Sequence, residues 1–279
     1  MCPRERILSA AALLPLVAAA DDSAEFVAPG IEEFFPDMIF GQPDGWFAFD
    51  RLMLVRLVVV VVLLLLLWLG ARRITLVPGR GQAVIELLVD FVRVQIAETI
   101  MGKEKAKPFL PMLTTIFVTI LAMNLASVIP GLNIGGTARI GLPLLMALWV
   151  FLTYLAAGAR TQGLGKYLRN ELFPPGIPWP MYLIITPIEI AQVFVIRPAT
   201  LALRLTVAMV AGHLMLVLAF AATHFLIFEA SAAMAAFAPV TLLGGFFITV
   251  LEIFISALQA FIFTILSAVY LNFAVEEAH

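Results

Sequence analysis

Residues 199–228 and 240–275 run without a proline and nearly without charge. As straight helices they would measure about 45 Å and about 54 Å at 1.5 Å per residue, and both exceed the roughly 30 Å hydrocarbon core of a bilayer. Segments this apolar belong in lipid, where each backbone N–H and C=O must find its partner within the segment, so helix is the form open to them. They must tilt steeply, bend or lie partly in the membrane plane, and Gly244-Gly245 offers a bend in the second. Composition extends the conclusion to the whole chain: 62% of its 279 residues are hydrophobic, 13% are charged and mean hydropathy is +1.05, outside the soluble range. A net charge of −2 gives no basic field for nucleic acid. The single cysteine, Cys2, excludes an intramolecular disulfide framework and a Cys-rich metal cluster.

Charge orders the remaining segments. Residues 1–20 carry Arg4 and Arg6, an apolar stretch from Ile7, and Ala18-Ala19-Ala20, and read either as a signal peptide or as an apolar segment that stays attached. Residues 21–50 contain Asp21, Asp22, Glu25, Glu32, Glu33, Asp37, Asp44 and Asp50 with no basic residue, an acidic extracytoplasmic segment. The first span is predicted from Leu52 to Ala71, with Arg56 its one charge, and Arg72, Arg73 and Arg80 follow it. In residues 82–101, Gln82, Glu86, Asp90 and Arg93 recur at helical spacing opposite Val84, Leu87, Leu88, Phe91, Val94 and Ile96, the pattern of an amphipathic helix lying in the membrane surface. Pro108–Ala138 supports an outward span ending near Pro130-Gly131, and Ile140–Ala159 its return. Residues 70–107 and 158–180 hold ten Lys/Arg, against Arg139 alone in the loop between these two spans. The positive-inside rule then puts the N-terminus outside and the C-terminus in the cytoplasm. The expected fold is an all-α integral membrane protein of about five transmembrane helices plus one in-plane amphipathic helix. Residues 51–279 form one membrane domain, closed by a long, steeply tilted hairpin over about 181–275.

Five ionisable residues fall in the last apolar region: Glu189, Arg197, Arg204, His213 and Glu252. Each is costly in lipid and should face protein or a water-filled path. Arg204 has no acid within pairing distance on its own helix and keeps its charge when desolvated. It either attracts a carboxylate and blocks cations at one point, or pairs statically with a neighbouring helix or snorkels to a surface. If the two long helices are antiparallel, Arg204 and Gln259 can be set at one depth. His213 then lies about 13.5 Å further outward and Glu252 about 10.5 Å, nearly level. Nine residues put Arg204 and His213 on opposite faces, whereas seven keep Glu252 and Gln259 on one. An imidazole beside a carboxyl suits proton passage, and equally a satisfied polar clamp between helices. Glu189, about 22 Å before Arg204, marks the mouth of a second aqueous path, or is a surface acid or the partner of Arg197. His224 and Glu229 near the outer end are interfacial or lead water inward. The small residues Ala202, Ala208, Ala211 and Gly212 permit close approach of another helix or pack within the chain.

Arg197-Pro-Ala-Thr-Leu-Ala-Leu-Arg204-Leu and Met209-Val-Ala-Gly-His213 resemble the arginine helix of F-type ATP synthase subunit a, the proton-channel stator of the membrane sector. Leu258-Gln259 through Tyr270-Leu271, with the acidic tail Glu276-Glu277, is similar to its final helix, and Val77-Pro-Gly-Arg-Gly-Gln82 with Glu86, Asn124-Leu125 and Ile129-Pro130-Gly131 to earlier signatures. The resemblance covers about residues 45–277. It implies that Arg204 separates two offset half-channels and engages the essential carboxylate of each passing c subunit. His213 and Glu252 would line the inlet, Glu189 the exit, and Gln259 would orient the arginine. It further implies a c-subunit ring and b-type peripheral stalk subunits as partners, protons as cargo, surrounding membrane lipid, no cofactor or metal, and a bacterial plasma membrane as the location. The chain departs from the family where members usually read Arg-Leu-Phe-Gly/Ala-Asn-Met: here Arg204-Leu-Thr206-Val-Ala208-Met leaves Thr206 as the candidate polar substitute. An ion-coupled transporter would be expected to show an internal repeat with paired broken helices, and none is visible. A structural anchor of a respiratory complex is the other alternative, with the buried charges holding helices together.

Overall fold

The computed structural model describes residues 26, 28–35, 38–40, 49–72, 79–173, 181–230 and 232–276. Residues 1–20, read above as a signal peptide or attached segment, lie outside the described residues. So do Asp21, Asp22, Glu25, Asp37 and Asp44.

A 3-10 turn, Ile31–Phe34, and two short antiparallel strands, β1 (Met38–Phe40) and β2 (Phe49–Asp50), precede the first helix, with Met38 opposite Asp50. Helix α1 (Arg51–Arg72) contains five consecutive valines, Val58 to Val62. Such a β-branched run favours strand in water, yet a lone segment in lipid can satisfy its backbone only as a helix. Its buried residues Leu52, Val55 and Val59 recur at helical spacing, and Val55 and Val59 pack with Met123 and Ala126. Arg56 is satisfied by carbonyls: Nε donates to Gly136 O at 2.8 Å and a terminal nitrogen to Arg139 O at 3.2 Å.

Helix α2 (Arg80–Phe91) continues into a π-helical stretch, Val92–Glu98. The amphipathic face read from the sequence assumes a period of 3.6, but the π turn shifts it. Val92 and Ala97, and Ile96 and Met101, are buried at spacings of five, while Val84, Leu87 and Val94 are exposed. The same spacing joins Arg93 Nε to Glu98 at 2.8 Å. Helix α3 (Leu110–Leu125) begins with Pro111 in its first turn, where the missing N–H costs nothing. Its 16 residues reach about 24 Å, shorter than the span expected from Pro108–Ala138. The residues after it fold back in turns instead, with Gly136 N donating to Met123 O at 3.0 Å and Thr137 Oγ1 to Asn124 Oδ1 at 2.6 Å.

Helix α4 (Gly141–Gln162) stops at Gly163, whose φ of 82° an L side chain rarely adopts. The reversal starts α5 (Leu164–Leu172) and brings Tyr167 against Gly158, where a Cβ would meet the ring at 2.5 Å. Helix α6 (Tyr182–Ala191), a π-helical stretch Gln192–Ile196 and α7 (Arg197–Phe228) make one apolar helical run of 47 residues. Pro187 lies inside α6 and Pro198 directly follows the π-helical stretch, and the run continues through both. Helix α8 (Ala238–Val275) is 38 residues long and includes Gly244-Gly245. Among the described residues four helical runs, Arg51–Gly70, Gly141–Gln162, Tyr182–Phe228 and Ala238–Val275, are long and apolar enough to cross a membrane, and α3 is a shorter apolar helix. The chain is an all-α, multi-pass membrane protein.

Two packing units emerge, one of residues 1–31 and 214–249, the other of 32–213 and 250–279. In the first, Thr223 and Thr241 share a hydroxyl hydrogen bond of 2.9 Å and Phe220 packs on Gly245. The second holds the larger core, in which Val92, Ile96, Leu113, Ile116, Ile120 and Tyr154 meet Leu201, Leu205, Ala260, Phe263 and Leu271. Lipid is as apolar as leucine, so close packing and internal hydrogen bonds, rather than transfer from water, hold these helices together.

Candidate functional site

In the second unit, Leu201, Ala202 and Leu205 of α7 are buried in one cluster with Ala260 and Phe263 of α8. Further along, Gly212 faces Glu252, and a Cβ at Gly212 would lie 3.7 Å from Glu252 Cγ. Counting from that contact, eight residues back along α7 reach Arg204 and seven forward along α8 reach Gln259, or about 12 Å and about 10.5 Å. Arg204 and Gln259 thus share a level to within one residue, and His213, next in sequence to Gly212, lies at the level of Glu252. Their environments differ sharply. Arg204 is exposed between Leu203 and Val207 and Gln259 is half-buried, whereas His213 is 4% and Glu252 1% exposed.

No hydrogen bond links the buried histidine and acid: His213 Nδ1 and both Glu252 carboxylate oxygens lack a partner among the described residues. Ser256, one turn along α8, has an unpartnered buried hydroxyl, and Asn124 Nδ2 on α3 is in the same condition. Ser127 approaches the Glu252 carboxyl, although its hydroxyl donates to Asn124 O at 2.8 Å. Buried polar groups left without partners cost about 1–3 kcal/mol each, so their concentration here is not explained by helix packing. Sequence reasoning missed Ser127, Ser256 and Thr137. The spacing of four between Glu252 and Ser256 was the signal available for one of them.

Phe34 covers His213, ring edge to ring face, with centroids 5.4 Å apart. Arg139 holds Phe34 in place: Nε donates to Phe34 O at 2.9 Å, the guanidinium pairs with Asp50, and it lies 4.8 Å over the Phe35 ring. Asp50 in turn caps α1, accepting from Met53 N at 2.9 Å. Arg139, the one basic residue between α3 and α4 and used above only for topology, ties Phe34 and Asp50 of the preceding segment down beside the buried histidine.

Toward the start of α7 the arrangement is closed. Arg197 pairs with Glu171 of α5 at 2.6 Å, both side chains largely buried, so its partner is Glu171 and not Glu189. Tyr270 lies 5.5 Å beneath the guanidinium, and Tyr154 donates its hydroxyl to Val193 O at 3.0 Å within the π-helical stretch. Burial pushes the Tyr167 hydroxyl up to about 12, with Glu171 adding to the shift and Arg197 opposing it. Glu189 is half-exposed and makes no ion pair with a described residue. Thr206 donates to Ala202 O at 3.0 Å and so spends its hydroxyl on its own helix. In the first unit His224 is exposed and stacks on Phe228 at 4.8 Å, and Glu229 is exposed. Among the described residues no cluster of three His, Cys, Asp or Glu gathers as a metal site.

An imidazole and a carboxyl at one depth, buried behind an arginine that faces away from them, can store and exchange a proton while a fixed positive charge stands apart. Residues 53–272 match the family described as ATP synthase A chain. The chain is 41% identical over 271 residues to a Rhodococcus erythropolis protein named ATP synthase subunit a, covering 97% of this chain and 95% of that one. A Paenarthrobacter aurescens protein of the same name is 36% identical over 262 residues, 93% of this chain and 97% of its own length. One from Streptomyces lividans is 30% identical over 258 residues, 92% and 91% of the two chains. With a match that spans every long helix and both arginines of α7, the chain belongs to the ATP synthase A chain family, as a multi-pass subunit of the synthase's membrane sector.

Proposed function

We propose that this chain is the proton-conducting stator of the synthase, with Arg204 separating two offset half-channels and facing a rotor ring of c subunits. The observation that carries the reading is a contrast between neighbouring levels: on α7 Arg204 is exposed among apolar side chains without an ion pair among the described residues, while His213 of α7 and Glu252 of α8 are buried. An arginine at mid-helix costs about 2.5–3.5 kcal/mol in lipid even on the mildest scales. A carboxylate arriving on another chain offsets that cost. A permanent partner would lock the interface, whereas a carboxylate that gains a proton loses its attraction and can move on.

In this mechanism protons come from the N-terminal side, past Phe34 and Arg139, to His213 and Glu252. From there they neutralise the rotor carboxylate, which then leaves Arg204 and enters lipid. After a turn of the ring, the carboxyl releases its proton on the side of Glu189, and Arg204 takes up the charged form again. Gln259, at the level of Arg204, orients the guanidinium. The b-type stalk subunits hold the chain against rotation, and the complex sits in a bacterial plasma membrane with the N-terminus outside and the C-terminus in the cytoplasm.

The test is ATP-driven proton pumping in membrane vesicles from cells carrying Arg204→Ala, with assembly of the complex measured in parallel. The expected result is an assembled complex that does not pump. Normal pumping would overturn the reading, and failure to assemble would favour a structural anchor instead.

A further inference from the structure

We propose that the groove between the start of α3 and the end of α4 binds an anionic phospholipid. A cavity of about 630 Å³ opens there, lined by Lys105, Phe109, Met112, Leu152, Ala156 and Arg160 among others, within the usual size of a ligand pocket, about 300–1,000 Å³. Among the described residues, Lys105 and Arg160 are the charged side chains of the lining. Neither ion-pairs with a described residue. Of the nearby described acids, Glu104 takes Lys107 at 2.8 Å, and Glu276 forms no ion pair with Lys105 or Arg160, accepting from the Asn272 amide at 3.3 Å. The Thr153 hydroxyl donates to a carbonyl of its own helix and that of Thr161 to carbonyls of α4 and of Ala274 in α8.

The groove is amphipathic along its length. Arg160 stands in the last turn of α4, and Leu152 lies two turns deeper, about 12 Å. An exposed apolar stripe continues up the same helix through Leu148 and Leu145. One end therefore offers two unpaired cations and the other leads an acyl chain straight into the bilayer. A protein helix docking here would need its own acids at the end of a groove open to lipid, whereas an anionic phospholipid carries both features in one molecule. Basic residues near a membrane surface attract such lipids by about 1 kcal/mol each. The inference does not depend on the proton path.

The test uses the assembled complex in nanodiscs of phosphatidylglycerol or phosphatidylcholine, with retained lipid counted by native mass spectrometry after detergent exchange. The natural chain should retain phosphatidylglycerol preferentially. Lys105→Gln should weaken retention about fivefold and the Lys105→Gln/Arg160→Gln pair about thirtyfold. Lys103→Gln, outside the groove, should change nothing. Ala156→Trp, which fills the apolar part, should lose lipid without altering charge. Equal retention of the two lipids by the natural chain, or undiminished phosphatidylglycerol in Lys105→Gln and Ala156→Trp, would overturn the proposal. So would a photo-crosslinker at position 156 that links to a stalk subunit rather than to lipid. Loss of retained lipid to inorganic phosphate alone would mark a phosphate site and overturn it too.

Discussion

Arg197 and Arg204 lie on the same helix seven residues apart, a separation of about 10.5 Å that nearly repeats the same face, yet their surroundings are opposite. Arg197 is mostly buried, paired with Glu171 and covered by Tyr270. Arg204 is exposed beside Leu203 and Val207 and has no described counter-ion. The helix cannot make this difference by itself. Arg197 finds its acid because α4 ends at the positive-φ Gly163 and α5 carries Glu171 back toward α7. Nothing comparable reaches Arg204. One arginine is tied into the fold, and the other, in the function proposed above, is left for a partner that comes and goes.

The sharpest way to break this comparison is to remove each charge in turn. Arg204→Ala should abolish ATP-driven proton pumping while leaving the amount of assembled complex near normal. Arg197→Ala should do the reverse: it strands a buried Glu171, costs up to about 3 kcal/mol and lowers the thermal midpoint of the complex, with pumping per assembled complex retained. The pair Arg197→Met/Glu171→Gln should recover most of that stability, since no charge is left uncompensated. For the buried site, His213→Ala and Glu252→Ala should each slow pumping strongly, and exchanging the two residues should preserve more activity than either alanine variant. Equal loss in all three would argue against a shared proton path. Smaller still, Phe34→Ala removes an aromatic contact of about 1 kcal/mol. It should raise the rate at which diethyl pyrocarbonate modifies His213 severalfold without affecting assembly. The smallest effect belongs to Tyr154→Phe, which deletes one hydrogen bond to Val193 O. That bond contributes about 1 kcal/mol, read as a modest fall in thermal stability with pumping unchanged.

Much of the fold was legible because charge and apolar length follow directly from the solvent. The spans beginning at Leu52 and Ile140 and the two long final helices could be read within a few residues. Less could be read where local backbone period changes. The π-helical stretches at Val92–Glu98 and Gln192–Ile196 leave no mark in a pattern read at 3.6 residues per turn. The shortened α3 hides in a stretch whose turns are as apolar as its helix. For the site, Arg204, His213, Glu252 and Gln259 stand out because charged and amide groups are rare in such helices, and the spacing along two antiparallel helices is enough to set their relative levels. Asp50, Arg139, Phe34 and Glu171 come from segments far apart in sequence, and no periodicity connects them. Ser127 and Ser256 are small hydroxyls, ordinary in any apolar helix until the fold gathers them around an acid.

The central claim is that the exposed arginine serves the ion path and the buried one the fold. The most direct measurement compares proton pumping per assembled complex in Arg204→Ala and Arg197→Ala vesicles, by quenching of a pH-sensitive dye on addition of ATP. Pumping should be absent in the first and close to normal per complex in the second. Comparable pumping by the two, or its loss in Arg197→Ala alone, would contradict the account.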